Sequence, residues 1–157
     1  MLNNNETLEN TTATGLEITV EKAIELTKEE FFNMLKKEPE GLALTVERVG
    51  KTFKSKWKND NGTISSGCFI DYTFTKDSKN YEVGISYNLG VPIAEEKFKL
   101  TSGMNIFKIL AVATDLSKAE EIKVTKEFIT DTLTGVKFIG EIDSGFNGFI
   151  IKPLKKL

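Results

Sequence analysis

The spacing of apolar residues predicts a short amphipathic segment and then a helix near the start of the chain. Leu16 to Ala23 alternates apolar and polar residues, which is typical of an edge strand or of the lead into a helix. Residues 27–30 read Thr-Lys-Glu-Glu and fit a capping box, and an apolar stripe follows as far as Leu35. We expect this helix to end before Pro39 and Gly41.

The pattern changes to period two at Leu42 and predicts a three-stranded meander. The first strand is long and is expected to be bulged near Gly50. Residues 59–62 read Asn-Asp-Asn-Gly and predict a tight turn, because Asn-Gly accepts the positive φ that such a turn needs. The return strand runs from Ile64 to Phe74, and after a polar turn the third strand runs from Tyr81 to Tyr87.

Helices and two further strands are predicted after the meander. Apolar residues recur at helical spacing from Ile106 to Leu116. Thr125 is expected to cap a shorter helix that ends at Gly135. The last strands are predicted at 136–142 and 149–151.

The order of these elements favours an α+β, strand-rich fold. A helix, three strands, helices and two strands together have the element order of an OB-fold. We therefore expect a five-stranded OB-like barrel with an N-terminal helix and with helices between its third and fourth strands. Other α+β arrangements share this order.

The length of 157 residues is that of one ordinary domain. Residues 1–15 are rich in Asn, Thr and Glu and contain no aromatic residue, so they are expected to be a disordered tail. The OB-like domain is accordingly predicted to span residues 16–157.

The residue types that are missing exclude several kinds of chemistry. The chain has one cysteine, Cys68, and no histidine. An intrachain disulfide, a Cys/His zinc site and a Ser–His–Asp or Cys–His nucleophile are therefore excluded. A carboxylate-only site stays open, but the spacing of the acidic residues selects no pair. We expect no enzyme activity, no catalytic residue, no metal site and no cofactor, and we expect Cys68 to be a core residue.

No apolar run approaches the length that spans a membrane, and no basic segment followed by an apolar one resembles a signal peptide. The sequence therefore predicts a cytoplasmic protein that does not enter a membrane.

The charge is distributed unevenly along the chain. Residues 1–47 carry four lysines and ten acidic residues, a net charge of −6, whereas residues 48–157 carry 17 basic and 13 acidic residues, a net charge of +4. A polyanionic partner is expected to meet the second part, although such asymmetry also arises by chance.

The most basic segment, residues 48–58, is the main candidate binding site. It has five basic residues, two aromatic residues and no acidic residue. Lysines neutralise phosphates and flat rings stack on bases of any sequence, which is what a single-strand binder needs. The candidate residues are Arg48, Lys51, Phe53, Lys54, Lys56, Trp57 and Lys58.

Strict alternation along a strand separates the rings from the lysines in this segment. Lys54, Lys56 and Lys58 would lie on one face, with Phe53 and Trp57 on the other. Both faces can serve one ligand only if the strand twists or bulges. In the alternative interpretation, the lysines are a solvated face that also protects an edge strand, while Phe53 and Trp57 lie in the core.

Tyrosines on the second and third strands are further candidates. Tyr72, and with it Tyr87, could stack on bases from a sheet face. Tyrosines in strands are more often half-buried, with the hydroxyl in water. We include Tyr72 in the candidate site.

The C-terminal third resembles a family of small phage-encoded proteins that lie near recombination genes and are regarded as OB-fold single-stranded-DNA-binding proteins. The resemblance is carried by the apolar helix at 106–116, the segment Leu-x-Gly-x-x-Phe from Leu133 to Phe138 with its strand to Ile142, and the final residues 149–153. It covers about 50 residues from Lys99 onward. It implies an OB-fold and DNA binding. The chain departs from the family in its acidic N-terminal extension and in lacking an acidic C-terminal tail.

Two functions follow as hypotheses. The first is sequence-tolerant binding of single-stranded DNA or RNA, in the replication or recombination of a phage or mobile element. The second is a phage-encoded interaction module or inhibitor that binds a host protein through the acidic helix predicted at Glu25–Lys37. The sequence leaves the oligomeric state open, including a homo-oligomer.

Overall fold

A computed structural model describes residues 7–11, 17–116, 118–145 and 148–157, with side chains from Lys22 onward. The protein is α+β and strand-rich, as predicted. The described helices are α1 (Lys28–Leu35), α2 (Asn105–Ala113) and α3 (Lys126–Leu133). The described strands are β1 (Thr7–Thr11), β2 (Glu17–Glu21), β3 (Ile24–Glu25), β4 (Leu42–Val49), β5 (Phe53–Lys58), β6 (Ile64–Lys76), β7 (Lys79–Gly90), β8 (Lys97–Thr101), β9 (Glu121–Thr125), β10 (Lys137–Gly145) and β11 (Gly148–Lys156).

Seven strands form one mixed sheet in the order β11-β10-β4-β6-β7-β3. The seventh strand, β5, pairs with β6 beyond the end of β4. The predicted meander is present as β4–β5, β6 and β7. Its long first strand is divided near Gly50, whose N–H donates to the carbonyl of Phe69 at 2.7 Å.

The predicted OB-like barrel is not confirmed, because the described sheet does not close. Only β3 pairs with the far edge of β7, in parallel, and only at Tyr81 and Glu82. At the other end of the sheet, β11 pairs with β10 alone. Apolar periodicity identifies the strands, but it does not say which strand edges meet, and the prediction of closure failed at that step.

The core lies between one face of the sheet and the three helices. On β6 the buried face carries alternate residues from Cys68 to Phe74, and on β7 from Val83 to Leu89. The helices cover this face with residues that are also fully or almost fully buried. These include Phe31, Phe32, Leu35, Ile106, Phe107, Ile109, Leu110, Ile129 and Leu133.

Local signals placed the caps of α1 and α3 correctly. The Thr27 hydroxyl accepts a hydrogen bond from the N–H of Glu30 at 3.1 Å, and the Glu30 carboxylate accepts one from the N–H of Thr27 at 2.9 Å. This confirms the capping box. Thr125 caps α3 by accepting from the N–H of Phe128 at 3.1 Å, and Gly135 follows the helix at φ +85°.

Two short pairs of strands were not predicted as such. β8 and β9 pair with each other over five residues, although the apolar alternation at Phe98 and Leu100 is visible in the sequence. β1 pairs with β2. Residues 7–11 are therefore a strand where a disordered tail was predicted, while residues 1–6 and 12–15 of that tail lie outside the described residues.

Candidate nucleic-acid interface

The regular alternation of β5 is interrupted in the middle of the basic segment. Lys54 lies opposite Ser66 and Lys58 lies opposite Ile64, so β5 takes four residues to cover two residues of β6. Inside this bulge the N–H of Trp57 donates to the hydroxyl of Ser55 at 3.2 Å. The bulge adds two residues, so Lys54 and Lys58 stay on one face, opposite Ser66 and Ile64, while Phe53 lies opposite Gly67 on the other. A ligand that uses both the rings and these lysines would have to contact both faces of β5.

Trp57 is the most exposed large apolar side chain in the described part of the chain, at 80%. Phe53 is 39% exposed, and every residue of β5 except Ser55 is classed as exposed. The interpretation that put Trp57 in the core is therefore wrong. Phe53 is only partly covered, and its ring lies 5.5 Å from that of Phe69, with an angle of 37° between the planes.

Phe69 belongs to the candidate site, although the sequence analysis did not select it. It is 49% exposed and lies on β6 between the buried residues Cys68 and Ile70. The sequence contained a signal for this exposure: Phe69 alternates with Cys68 and Ile70, so its side chain lies on the opposite face of the strand. Together, Phe53, Phe69 and Trp57 give this side of the sheet three exposed aromatic side chains.

The four lysines of the basic segment have uncompensated charges. Lys51, Lys54, Lys56 and Lys58 are all exposed, and none has a carboxylate within 4.0 Å in the described part of the chain. Since no partner neutralises them, their positive charge is available to a phosphate backbone.

Arg48 differs from these lysines because it is paired with Asp71. Its Nε donates to Asp71 Oδ2 at 2.9 Å, and Nη2 donates to the same oxygen. This hydrogen bond raises the pKa of the Arg48 guanidinium, which stays charged. The side chain is still 69% exposed, so the guanidinium is accessible to solvent but has Asp71 as its counter-ion.

The structure removes Tyr72 from the candidate site. Tyr72 is 0% exposed, and its hydroxyl lies 2.6 Å from the hydroxyl of Tyr87, which is also buried. Burial raises the pKa of both tyrosines. Neither ring can stack on a base, because the alternation of β6 and β7 places both on the face that the helices cover.

A small polar pocket of about 340 Å³ adjoins Phe53 on the same side of the sheet. Its polar lining side chains are serines and asparagines, which can donate and accept hydrogen bonds without adding charge. The lining includes Ser55, Asn59, Ser65, Ser86 and Asn88. The Asn59 amide also stabilises the β5–β6 hairpin, because it donates hydrogen bonds to the hydroxyls of Thr63 at 3.0 Å and Ser65 at 3.2 Å.

The described residues show little that is typical of a reaction centre. No group of three or more Cys, His, Asp or Glu side chains that could hold a metal ion occurs among them. Cys68 is a core residue, as predicted, and burial raises the pKa of its thiol. A raised pKa keeps the thiol protonated and makes it a poor nucleophile.

The helix invoked by the protein-interaction hypothesis is shorter than predicted. α1 spans Lys28–Leu35, and Glu25 lies in β3. Glu30 is engaged in the capping box. Because Lys28 and Lys36 are exposed beside Glu29, the surface of this helix carries both signs of charge.

Comparisons with protein-family models, with curated proteins and with solved structures found no significant match to this chain. The resemblance to the phage-encoded family therefore stays a prediction. Among the residues that the structure describes, no helix is both long enough and apolar enough to cross a membrane.

Proposed function

We propose that this protein binds single-stranded nucleic acid, with little sequence preference, through β5 and the adjoining exposed face of β6. The observation that supports this most strongly is the 80% exposure of Trp57 between Lys56 and Lys58, two lysines that have no carboxylate partner among the described residues. Proteins that bind single strands combine solvent-exposed aromatic rings with neighbouring positively charged side chains in this way.

The exposed rings would provide the sequence-tolerant part of the affinity. Stacking on an aromatic side chain contributes about 1–3 kcal/mol per base, and every base offers a flat face. Trp57 would take one base, and the neighbouring pair Phe53 and Phe69 would take another.

The lysines would provide the salt-dependent part. If Lys51, Lys54, Lys56 and Lys58 each neutralise one phosphate, the logarithm of the binding constant should fall with the logarithm of salt concentration with a slope of about −2.8. Arg48 contributes less in this proposal, since Asp71 already compensates its charge.

The rival hypothesis, binding of a host protein through α1, stays a prediction. The charges on α1 are mixed, and three exposed aromatic side chains lie away from it on β5 and β6. One exposed ring, Phe149, does lie beside α1, 6.3 Å from the ring of Phe32. A role in phage or mobile-element replication or recombination likewise stays a prediction.

The proposal is tested by fluorescence anisotropy of a labelled mixed-sequence single-stranded DNA oligomer, titrated with the full chain at two salt concentrations. We expect salt-sensitive binding that is weakened about 5- to 150-fold by Trp57→Ala, the range that corresponds to the loss of one stacked base. The combined change of Lys54, Lys56 and Lys58 to Ala should weaken binding further and flatten the salt slope by about 2.

A matched control changes three exposed lysines on other strands, Lys79, Lys123 and Lys137, to Ala. This control removes the same charge and should weaken binding much less. Equal effects of the two triple variants would show that only net charge matters and would contradict a site on β5. No binding by the unchanged protein at low salt would reject the function itself.

A further inference from the structure

Two strand edges border the same cavity, which has a volume of about 570 Å³. One belongs to β7, which has no strand partner on this side from Val83 to Gly90 in the described residues. The other belongs to β11, which contributes residues 149–151 to the same cavity. We call the space between these two edges the edge slot.

The edge slot has the properties of a site for one more strand. An unpaired strand edge presents N–H and C=O groups that can pair with another chain, and peptides are commonly bound in this way. Helices α1 and α2 border the slot, and its lining is apolar at Phe32, Ile85 and Ile151. A chain that alternates apolar and polar residues would place its apolar side chains on that lining.

The positive charge of the edge slot favours an acidic strand as its ligand. Lys28 from α1 and Lys108 from α2 both line the cavity, and both are exposed. Neither has a carboxylate within 4.0 Å in the described part of the chain. A carboxylate placed at each end of an inserted strand would compensate both charges.

The chain itself contains a segment with this chemistry. Residues 17–21 read Glu-Ile-Thr-Val-Glu, an alternating sequence with an acidic residue at each end. They form β2, which among the described residues pairs only with β1 and lies outside the seven-stranded sheet. A two-stranded hairpin alone is at best marginally stable in water, so this segment gains from another partner.

The segment would reach the slot of a second copy rather than its own. β3 follows β2 after two residues and runs parallel to β7 at Tyr81. The chain before Ile24 therefore leads away from Ser86 and Asn88, the β7 residues that line the slot. A reciprocal exchange between two copies would satisfy both slots with two-fold symmetry.

We propose that Glu17–Glu21 of one copy inserts as a strand into the edge slot of a second copy, where Lys28 and Lys108 compensate its terminal carboxylates. The product is a symmetric dimer held by exchanged strands. This inference does not use the basic segment of β5, although Ser86 and Asn88 border both the edge slot and the polar pocket beside Phe53.

The first test is sedimentation velocity of the full chain over a range of concentrations. We expect a species of twice the 17.5 kDa chain mass as concentration rises. The variant Lys28→Glu with Lys108→Glu should stay monomeric, and Glu17→Lys with Glu21→Lys should as well, because each places like charges together. A monomer at every concentration of the unchanged protein would overturn the proposal.

The decisive test mixes the two charge variants. One has an acidic slot and an acidic strand, the other a basic slot and a basic strand, so they should form a mixed dimer although neither dimerises alone. Lys79→Glu with Lys137→Glu is the control, with the same change of charge outside the slot, and should dimerise normally. Thermal melts establish that the variants are folded. Failure of the mixture to associate, or a dimer that survives either slot or strand variant, would overturn the assignment of the slot.

Discussion

The ring of Phe53 lies against the backbone of Gly67, in the space that a side chain at position 67 would occupy. A Cβ atom there would be 2.8 Å from Phe53 Cζ and 3.0 Å from the carbonyl oxygen of Tyr87. The absence of a side chain at Gly67 thus lets Phe53 lie flat on the sheet, next to Phe69.

Gly67→Ala is expected to displace Phe53 and weaken the candidate interface. Forcing a methyl group into this contact should destabilise the protein by roughly 1–3 kcal/mol. Oligonucleotide affinity should fall as well, because the Phe53–Phe69 pair is disturbed. Urea unfolding and anisotropy titrations measure the two effects.

The control for that substitution is Gly103→Ala, where an added Cβ meets nothing within 4 Å. It should change neither stability nor affinity appreciably. In the background of Phe53→Ala, Gly67→Ala should be less costly, since the ring that obstructs the methyl group is gone. An equal cost in both backgrounds would show that the carbonyl of Tyr87, not Phe53, is the obstacle.

Removing one hydroxyl of the buried tyrosine pair should destabilise the protein more than removing both. In the unchanged protein the Tyr72 hydroxyl lies 2.6 Å from the Tyr87 hydroxyl. Tyr87→Phe leaves the Tyr72 hydroxyl buried without a hydrogen bond, which should lower the free energy of unfolding by about 1–3 kcal/mol. Replacing both tyrosines with Phe removes the unsatisfied group too. Urea unfolding of the two single variants and the double variant gives the coupling free energy between the two hydroxyls. Strictly additive changes in the free energy of unfolding would contradict the hydrogen bond.

Stability is expected to fall at alkaline pH because of the same pair. Burial raises the pKa of Tyr72 and Tyr87 above the ordinary value of 10.0, so the folded protein holds these protons more tightly than the unfolded chain. Their contribution is therefore complete below about pH 10 and is lost as the pH rises above it. Where a tyrosine is neutral in the folded state but ionised in the unfolded chain, it lowers the free energy of unfolding by about 1.4 kcal/mol per pH unit.

Unfolding free energies measured between pH 8 and pH 11.5 test this prediction. The double Phe variant should lose less stability over the alkaline part of that interval than the unchanged protein. Parallel curves for the two proteins would mean that other groups cause the alkaline loss.

Asp71→Asn should strengthen nucleic-acid binding. The substitution frees the exposed guanidinium of Arg48 and removes a negative charge near Phe69. One additional phosphate contact would steepen the salt slope by about 0.7. Anisotropy titrations at several salt concentrations measure this slope, and Arg48→Ala together with Asp71→Asn should abolish the gain. Tighter binding that persists without Arg48 would assign the effect to the lost carboxylate alone.

The sequence predicted what short-range chemistry determines. The capping box at Thr27, the cap at Thr125 and the hairpin around Gly62 each depend on a few neighbouring residues, and each is present in the structure. The alternation of β6 and β7 was also predicted. These features could be read because local hydrogen bonds and a period of two leave a direct trace in the order of residues.

The errors concern relationships between distant elements. Tyr72 and Phe69 lie on opposite faces of β6, and only the packing of the helices decides which face is exposed. The exposed aromatic residue of this strand is therefore Phe69, and the prediction of Tyr72 was wrong. Closure of the sheet would likewise require β11 to pair with β7, two strands that are far apart along the chain and are not paired in the described residues.

The pairing of β4 with β10 has a consequence for the order of folding. Thr45 lies opposite Lys137 and Leu44 opposite Phe138, so the middle of the sheet joins residues separated by most of the chain. The meander from β4 to β7 can form once residue 90 has left the ribosome, but one edge of β4 stays unpaired until β10 is available. Such distant contacts slow folding, and an unpaired apolar strand is prone to aggregate while it waits. A growing chain that has not yet reached Lys137 therefore leaves one edge of β4 without its strand partner.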